Sequence, residues 1–217
     1  MLVIFDWDGT LADSTDHIVA AMQTAITEMG LEFLSDEICR AQIGLGLGET
    51  ARSLFPQLPE ERVNTFRQTY SKRYLALGKD QFKLCLYEGA LQALTRLRDS
   101  GHQLAIATGK SRAGLNRVLN ELELADRFVA TRASDETASK PDPLMLNELL
   151  RETGFTASQA VMIGDSSYDL AMAQSIGMPR IGVSYGVHSV EKLSSYKPAA
   201  IANSVIELPG HIQSLPQ

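Results

Sequence analysis

The chain is expected to fold as an α/β protein, a doubly wound parallel sheet with a Rossmann-like core into which a small helical cap domain is inserted. Three observations carry that expectation. Leu2-Val3-Ile4-Phe5, Leu104-Ala105-Ile106-Ala107 and Ala160-Val161-Met162-Ile163 are short uninterrupted apolar runs, the pattern of strands covered by helices on both faces. From Ala90 onward such runs alternate with helical periodicity, as βαβ units do. Between Ser14 and Phe82 the pattern is helical and contains no convincing strand. The expected division is therefore 1–13 and 84–217 for the α/β core and 14–83 for the helical insertion, with connections near Leu11 to Asp13 and Lys83 to Gly89.

The first strand ends in Asp6-Trp7-Asp8-Gly9-Thr10. Side chains of an extended segment alternate in direction, so Asp6 and Asp8 share one side and Trp7 takes the other. Both acids then overhang the carboxyl edge, where open α/β sheets place ligands. Two like charges about 4 Å apart repel by roughly 4 kcal/mol at an effective dielectric of about 20, so the pair needs a proton or a cation. A hard divalent ion such as Mg2+ takes carboxylates, waters and a substrate phosphate together. Acids that cap a following helix are the alternative reading.

Asp13 and Ser14 are expected caps for a helix carrying Ile18, Met22, Ile26 and Met29 and stopped by Gly30, with His17 a packing or surface residue one turn inside. A short helix is expected over 35–42. Gly44-Leu45-Gly46-Leu47-Gly48 follows a helix rather than a strand, so it lacks the context of a dinucleotide fingerprint. It reads as a loop that approaches a small ligand, with Gly46 at its centre and Arg52 one turn beyond as the candidate for an anionic group. From Pro59 a helix marked by Val63, Phe66, Tyr70 and Tyr74 is expected to end by Gly78, with both tyrosines in the core.

In the second part, Ala90, Leu91, Leu94 and Leu97 mark a helix closed by Gly101. The next strand ends in Thr108-Gly109-Lys110-Ser111, which lacks the first glycine of a P-loop but offers a hydroxyl and free backbone N–H groups to a phosphate. Leu115, Val118, Leu119 and Leu122 carry a helix, and 127–130 is expected as a short strand. In Ser139-Lys140-Pro141-Asp142-Pro143 the residue before proline is extended, which holds Lys140 clear of a helix that Asp142 caps and Pro143 begins. Strand 160–163 leads into Gly164-Asp165-Ser166-Ser167-Tyr168-Asp169, with Asp165 at a carboxyl edge and Asp169 one turn later. Capping explains one such acid; two acidic strand ends in one sheet go beyond it. A strand over 180–183, a helix near 189–194 and a strand near 199–202 complete the sheet, and 205–217 carries no assignable role.

At 217 residues, 44% hydrophobic and 21% charged, the composition is that of a globular chain with ample core. The formal net charge of −6, without a basic stripe, argues against a nucleic-acid partner. Cys39 and Cys85 form no CxxC pair, and no apolar run is long enough for a bilayer, so a reduced, cytoplasmic setting is expected, as monomer or homodimer.

Taken in order, the Asp6-Trp7-Asp8-Gly9-Thr10 segment, the Thr108 strand end, the Lys140-Pro141 element and Gly164-Asp165-Ser166-Ser167-Tyr168-Asp169 resemble the four signature motifs of the haloacid dehalogenase-like hydrolase superfamily. The helical insertion between the first and second motifs resembles its helical-cap subgroup, phosphoglycolate phosphatase-like proteins in particular. Gly109 stands where many relatives carry asparagine. The resemblance implies a Mg2+-dependent phosphatase acting on a small phosphate monoester, with Asp6 as nucleophile and Asp8 as general acid and then base. It further implies Thr108, Gly109 and Lys140 on the phosphate, and Asp6, the Asp8 carbonyl, Asp165 and Asp169 at the metal. A phosphomutase of the same superfamily, or a non-catalytic phosphate-binding protein, is the alternative.

Overall fold

The computed structural model describes residues 1–215; Pro216 and Gln217, the end of the 84–217 segment, lie outside the described residues. Six strands form one sheet: β1 (Leu2–Phe5), β2 (Gln103–Thr108), β3 (Ala130–Ala133), β4 (Ala160–Gly164), β5 (Arg180–Val183) and β6 (Ala200–Ala202). Their order is β3-β2-β1-β4-β5-β6, with every neighbouring pair parallel. Phe5 stands opposite Ile106 on one side and Ile163 on the other, so β1 is central. The direction of winding reverses between β1 and β4, which opens the crevice where such sheets bind ligands.

Between β1 and β2 lie α1 (Thr15–Glu28), α2 (Asp36–Arg40), α3 (Leu47–Leu54), α4 (Glu60–Asp80) and α5 (Ala90–Asp99). The first four pack around their own apolar cluster, with Ile18 and Ile26 of α1 against Val63 and Phe66 of α4. Only two strands of chain join this unit to the sheet, and they pair with each other. Asp13 N–H donates to the Cys85 carbonyl at 3.1 Å and Tyr87 N–H to the Leu11 carbonyl at 3.0 Å.

The sheet is covered on both faces because its strands are apolar on both. Val3, Phe5 and Trp7 point into a cluster with Leu94 and Leu97 of α5, Leu115 and Val118 of α6 (Arg112–Glu121) and residues of the C-terminal segment. Leu2 and Ile4 alternate to the opposite face, against Met145, Leu146 and Leu149 of α7 (Leu144–Thr153) and Met172 and Ala173 of α8 (Ser167–Ser175). Helix α9 (Val190–Ser194) connects β5 to β6, and α10 (Leu208–Gln213) gives the described part of the C-terminal segment, 205–215, a role in the core through Leu208 and Ile212.

Several local expectations shift. Gly78 does not stop α4, which continues to Asp80. Gly78 is exposed, one turn beyond Tyr74, and a Cβ there would lie 3.1 Å from His17 Cε1, so its small size seats the His17 ring. The strand expected over 127–130 is a single 3-10 turn at Ala125–Arg127 followed by β3. Leu47 and Gly48 already belong to α3. Pro143 precedes rather than begins α7, while Asp142 still accepts from Leu144 N–H at 2.9 Å.

The turn after β1 depends on Gly9, whose φ of +80° is a left-handed conformation and whose added Cβ would lie 2.2 Å from Asp165 Oδ2. Gly9→Ala is expected to lower unfolding stability by about 2–4 kcal/mol through strain and overlap together. Urea unfolding measures it; an unchanged midpoint would show that the turn does not constrain the fold.

Candidate active site

Asp6 is fixed by the sheet itself, its N–H donating to the Ile163 carbonyl at 2.9 Å. The next residue, Trp7, is fully buried, and the amides of Thr10, Leu11 and Ala12 converge on its carbonyl at 3.3, 3.0 and 2.9 Å. That tight turn aims Asp6 and Asp8 into one cavity of about 240 Å3.

Around Asp6 the strand ends meet. Lys140 Nζ, its side chain 0% exposed, lies 2.7 Å from Asp6 Oδ1 and 2.6 Å from Asp169 Oδ1. Asp169 is a capping acid and a site acid at once: its Oδ2 accepts from Ser166 Oγ at 2.6 Å and Ser166 N–H at 3.2 Å, closing the first turn of α8. Asp165 accepts from Thr10 Oγ1 and from Val187 N–H, both at 2.9 Å. Its carboxyl is wedged between Gly9 and Gly186; a Cβ on Gly186 would come within 2.1 Å of Asp165 Cβ.

Asp6, Asp165 and Asp169 each bring a carboxylate oxygen within 4.8 Å of the others, all buried. Against one ammonium, these three acids leave two formal negative charges uncompensated. Burial, with the neighbouring carboxylate of Asp169, pushes the Asp165 carboxyl up to about 7. Burial likewise raises Asp6 well above the usual carboxylate range, although Lys140 opposes it. Burial works in the other direction on Lys140, but the charges of Asp169 and Asp6 overcome it and hold the ammonium above its ordinary value. Asp6 Oδ1, despite its nearby ammonium, receives no well-aligned hydrogen bond. An all-oxygen donor set with a spare buried acceptor and a double negative charge fits a hard divalent cation.

Asp8 is compensated separately. Its Oδ1 accepts from Ser14 Oγ at 2.6 Å and lies 2.9 Å from Lys110 Nζ. Lys110 is nearly as buried, with its Nζ 5.1 Å from the Tyr74 ring centroid. His17 belongs to the packing behind this group: it stacks on Tyr74 with ring centroids 3.7 Å apart and on Phe82 at 4.8 Å, and its Nε2 lies 2.8 Å from the Tyr74 carbonyl. Tyr70 and Tyr74 are core residues that also line the cavity.

The helical unit forms the other wall. A Cβ on Gly109 would lie 2.6 Å from the Gly44 carbonyl and 2.7 Å from that of Leu45, so the loop before α3 rests directly on the chain after β2. Gly46 N–H donates to Ser139 Oγ at 2.8 Å. Tyr168 Oη donates to the Ala41 carbonyl at 3.1 Å, with His188 Nε2 3.3 Å from the same oxygen.

The structure thus brings Asp6, Lys140, Asp165 and Asp169 into one buried cluster, and Asp8 and Gly109 into the cavity that Asp6 lines. Thr108 is fully buried at the end of β2, its hydroxyl accepting from Lys110 N–H at 3.2 Å. Gly46 lies in the seam rather than in the cavity lining, and Arg52 is not brought to the cavity. Its exposed guanidinium pairs with Glu49 at 3.0 Å and Glu60 at 2.7 Å on the outer surface of the helical unit. Four participants escape the sequence reading. Lys110 is hidden by a comparison with P-loops that fails, and Ser14 by its place at a helix start, where its hydroxyl serves Asp8 instead of the helix. Thr10 and Tyr74 carry no local signal; only the fold places them.

Comparison with known proteins follows the same lines. Residues 3–183 match the family described as haloacid dehalogenase-like hydrolase. The chain is 33% identical over 217 residues to a "Probable phosphatase IndB" of Dickeya dadantii, covering 99% of this chain and 94% of that protein. It is 32% identical over 213 residues to a phosphoglycolate phosphatase of Rhodospirillum rubrum, covering 95% and 88%. A crystal structure of a hydrolase from Pseudomonas syringae has the same fold, with a TM-score of 0.90 over 100% of both chains at 22% identity.

Linkage between protons and a cation at this cluster is testable. An unfolded Asp165 loses its proton near 4 and the folded one near 7, so the unfolded state binds fewer protons between them. Without metal, this group makes the fold less stable as pH rises through that window, and a cation that binds the ionised carboxylates reverses the loss. The gain in Tm on replacing chelator by MgCl2 should grow from pH 5 to pH 8 and reach at least about 3 °C. Scanning fluorimetry reads it; a gain independent of pH, or retained by Asp165→Asn, would contradict the assignment.

Proposed function

The chain belongs to the haloacid dehalogenase-like hydrolase family, and we propose that within it the protein is a Mg2+-dependent phosphatase of a small phosphate monoester, working through an aspartyl-phosphate on Asp6. The reading as a phosphoric monoester hydrolase accords with the phosphatase names of relatives aligned along nearly the whole chain. The observation that carries the mechanism is the placement of two aspartates in one cavity with separate lysines: Asp6 beside Lys140 and the carboxylate cluster, Asp8 beside Lys110.

In the first half-reaction the Asp6 carboxylate bonds to phosphorus as the bond to the alcohol oxygen breaks, and Asp8 gives that oxygen a proton. Both contacts of Asp8 fall on Oδ1, which leaves Oδ2 to carry the proton. In the second half Asp8 takes a proton from water, whose oxygen bonds to phosphorus, and Asp6 departs as a carboxylate with release of inorganic phosphate. Lys140, Thr108 and the Gly109 N–H hold the phosphoryl oxygens, where fixed charge and positioning supply most of the rate. Mg2+, held by Asp6, the Asp8 carbonyl and Asp165 with Asp169 orienting its shell, would offset the charge on the phosphoryl group.

Residues 14–83 act in this reading as the cap of a core formed by 1–13 and 84–217. Their separate apolar cluster, the paired connections at Leu11–Asp13 and Cys85–Tyr87, and a cavity walled by both parts support it. A closed cap excludes water and reads the alcohol half of the ester. A small phosphate ester such as phosphoglycolate or a sugar phosphate is the substrate class, and among the described residues no helix is long and apolar enough to cross a membrane.

With 4-nitrophenyl phosphate and MgCl2, the wild type should release inorganic phosphate, and Asp6→Asn should lower kcat by at least about 1,000-fold. Equal rates would remove Asp6 as nucleophile. Isomerisation of a hexose phosphate without free phosphate would replace the hydrolase by a mutase.

A further inference from the structure

One charged side chain in the cavity is left without a protein partner. Arg117, on α6, lines the same cavity as Asp6 and Asp8, is half-buried, and has its guanidinium carbon 5.2 Å from the Tyr74 ring centroid. Among the described residues no carboxylate lies within 4.0 Å of it and it donates to no protein oxygen. The other half-buried arginines are all engaged: Arg40 with Asp16, Arg73 with Glu28, Arg112 with Glu136, Arg127 with Thr95, Arg132 with Glu148 and Arg180 with the Tyr196 carbonyl. Among the described residues Arg96, Arg98 and Arg151 also have no partner, but they are exposed, where water solvates a guanidinium. A half-buried guanidinium facing a cavity presents a planar fork of donors whose geometry matches a carboxylate or a phosphate.

Its neighbours narrow what could bind. Lys110 is committed to Asp8, so Arg117 is the cation of the cavity whose charge remains unneutralised. The remaining wall is mostly apolar, with Ile18, Met22, Leu45 and Leu47, and also carries the polar side chains of Gln42 and Thr50. A cavity of about 240 Å3 also holds more than a phosphoryl group alone. We propose that Arg117 determines specificity by receiving an anionic group, a carboxylate or a second phosphate, on the alcohol half of the ester, while the apolar wall takes that half's carbon skeleton. The side chain that reads a charged leaving group then comes from the sheet domain and not from Arg52, whose charge Glu49 and Glu60 already satisfy. This deepens the phosphatase reading and rests on it for the word ester, but anion recognition by Arg117 can be measured without turnover.

The test uses two inert ligands of one shape, 4-carboxybenzylphosphonate and 4-carbamoylbenzylphosphonate, titrated calorimetrically into the wild type, Arg117→Met and Arg117→Lys with MgCl2 present. The wild type should bind the carboxylate about 10-fold or more tightly than the amide, as charge-assisted hydrogen bonds of a guanidinium do. Arg117→Met should erase that preference, and Arg117→Lys, which keeps the charge, should retain part of it. Turnover of 4-carboxyphenyl phosphate, 1,4-phenylene bisphosphate and 4-carbamoylphenyl phosphate then identifies the anion, as the ester with the highest kcat/KM and the largest loss in Arg117→Met. No preference in the wild type, or a preference that survives Arg117→Met, overturns the proposal. Arg117-dependent binding with no hydrolysis of any of the three esters would overturn the phosphatase reading and leave the anion site standing.

Discussion

Crowding of like charge at the carboxyl edge of the sheet is the constraint that the rest of this structure serves. Asp6, Asp165 and Asp169 come from two adjacent strand ends and the helix after one of them, and they meet with all three buried. Such an arrangement is unfavourable by itself, because burial penalises each ionised carboxylate and each raises its neighbours. Lys140 answers part of it from a third segment, which is why an ammonium with no exposed side-chain surface is tolerable there. Close approach of backbone does the rest of the confinement. Gly9 and Gly186 flank Asp165 so tightly that neither position has room for a Cβ.

Physical reasoning on the sequence reaches the sheet and its acidic edge because both rest on short-range rules. Uninterrupted apolar runs at Leu2, Leu104 and Ala160 require cover on both faces, and the side-chain alternation through Asp6, Trp7 and Asp8 sends Trp7 into the core and both acids to the cavity. Where the reading fails, a tertiary contact overrules a local signal. Gly78 looks like a helix stop because glycine is a poor helix former, yet α4 runs through it, and the absence of a side chain there leaves room for the His17 ring. Arg52 looks like an anion receptor because it follows a glycine-rich loop, yet Glu49 and Glu60 hold it on the outside. Arg117 does leave a trace: with Ala113 and Gly114 of α6, and Lys110 just before that helix, it recurs at helical spacing and lines the cavity.

The cavity itself has two unlike ends. At one, acids outnumber lysines, with Asp8 holding Lys110 and Lys140 set among Asp6, Asp165 and Asp169. At the other, leucine, isoleucine and methionine side chains of the helical unit face a single guanidinium. Low-dielectric walls strengthen every charge interaction at the first end, and the same walls make the second selective, because an unpaired polar group buried there is costly. Tyr74 joins the two ends, since Lys110 and Arg117 both sit near its ring while His17 stacks against it.

The seam between the helical unit and the sheet has a distinctive asymmetry. Along the loop before α3 its contacts on the helical side are main-chain atoms, the carbonyls of Ala41, Gly44 and Leu45 and the N–H of Gly46, whereas nearer Asp8 the helical side contributes the side chains of Ser14 and Tyr74. On the sheet side they are Tyr168, His188, Ser139 and the bare backbone of Gly109. Main-chain groups keep their positions whatever side chains accompany them, so along this loop the inner lining of the insertion is not needed for docking. Evolution can therefore retailor that lining for a new metabolite while the two halves still fit together, and diversification of this scaffold has a route that leaves its closure intact.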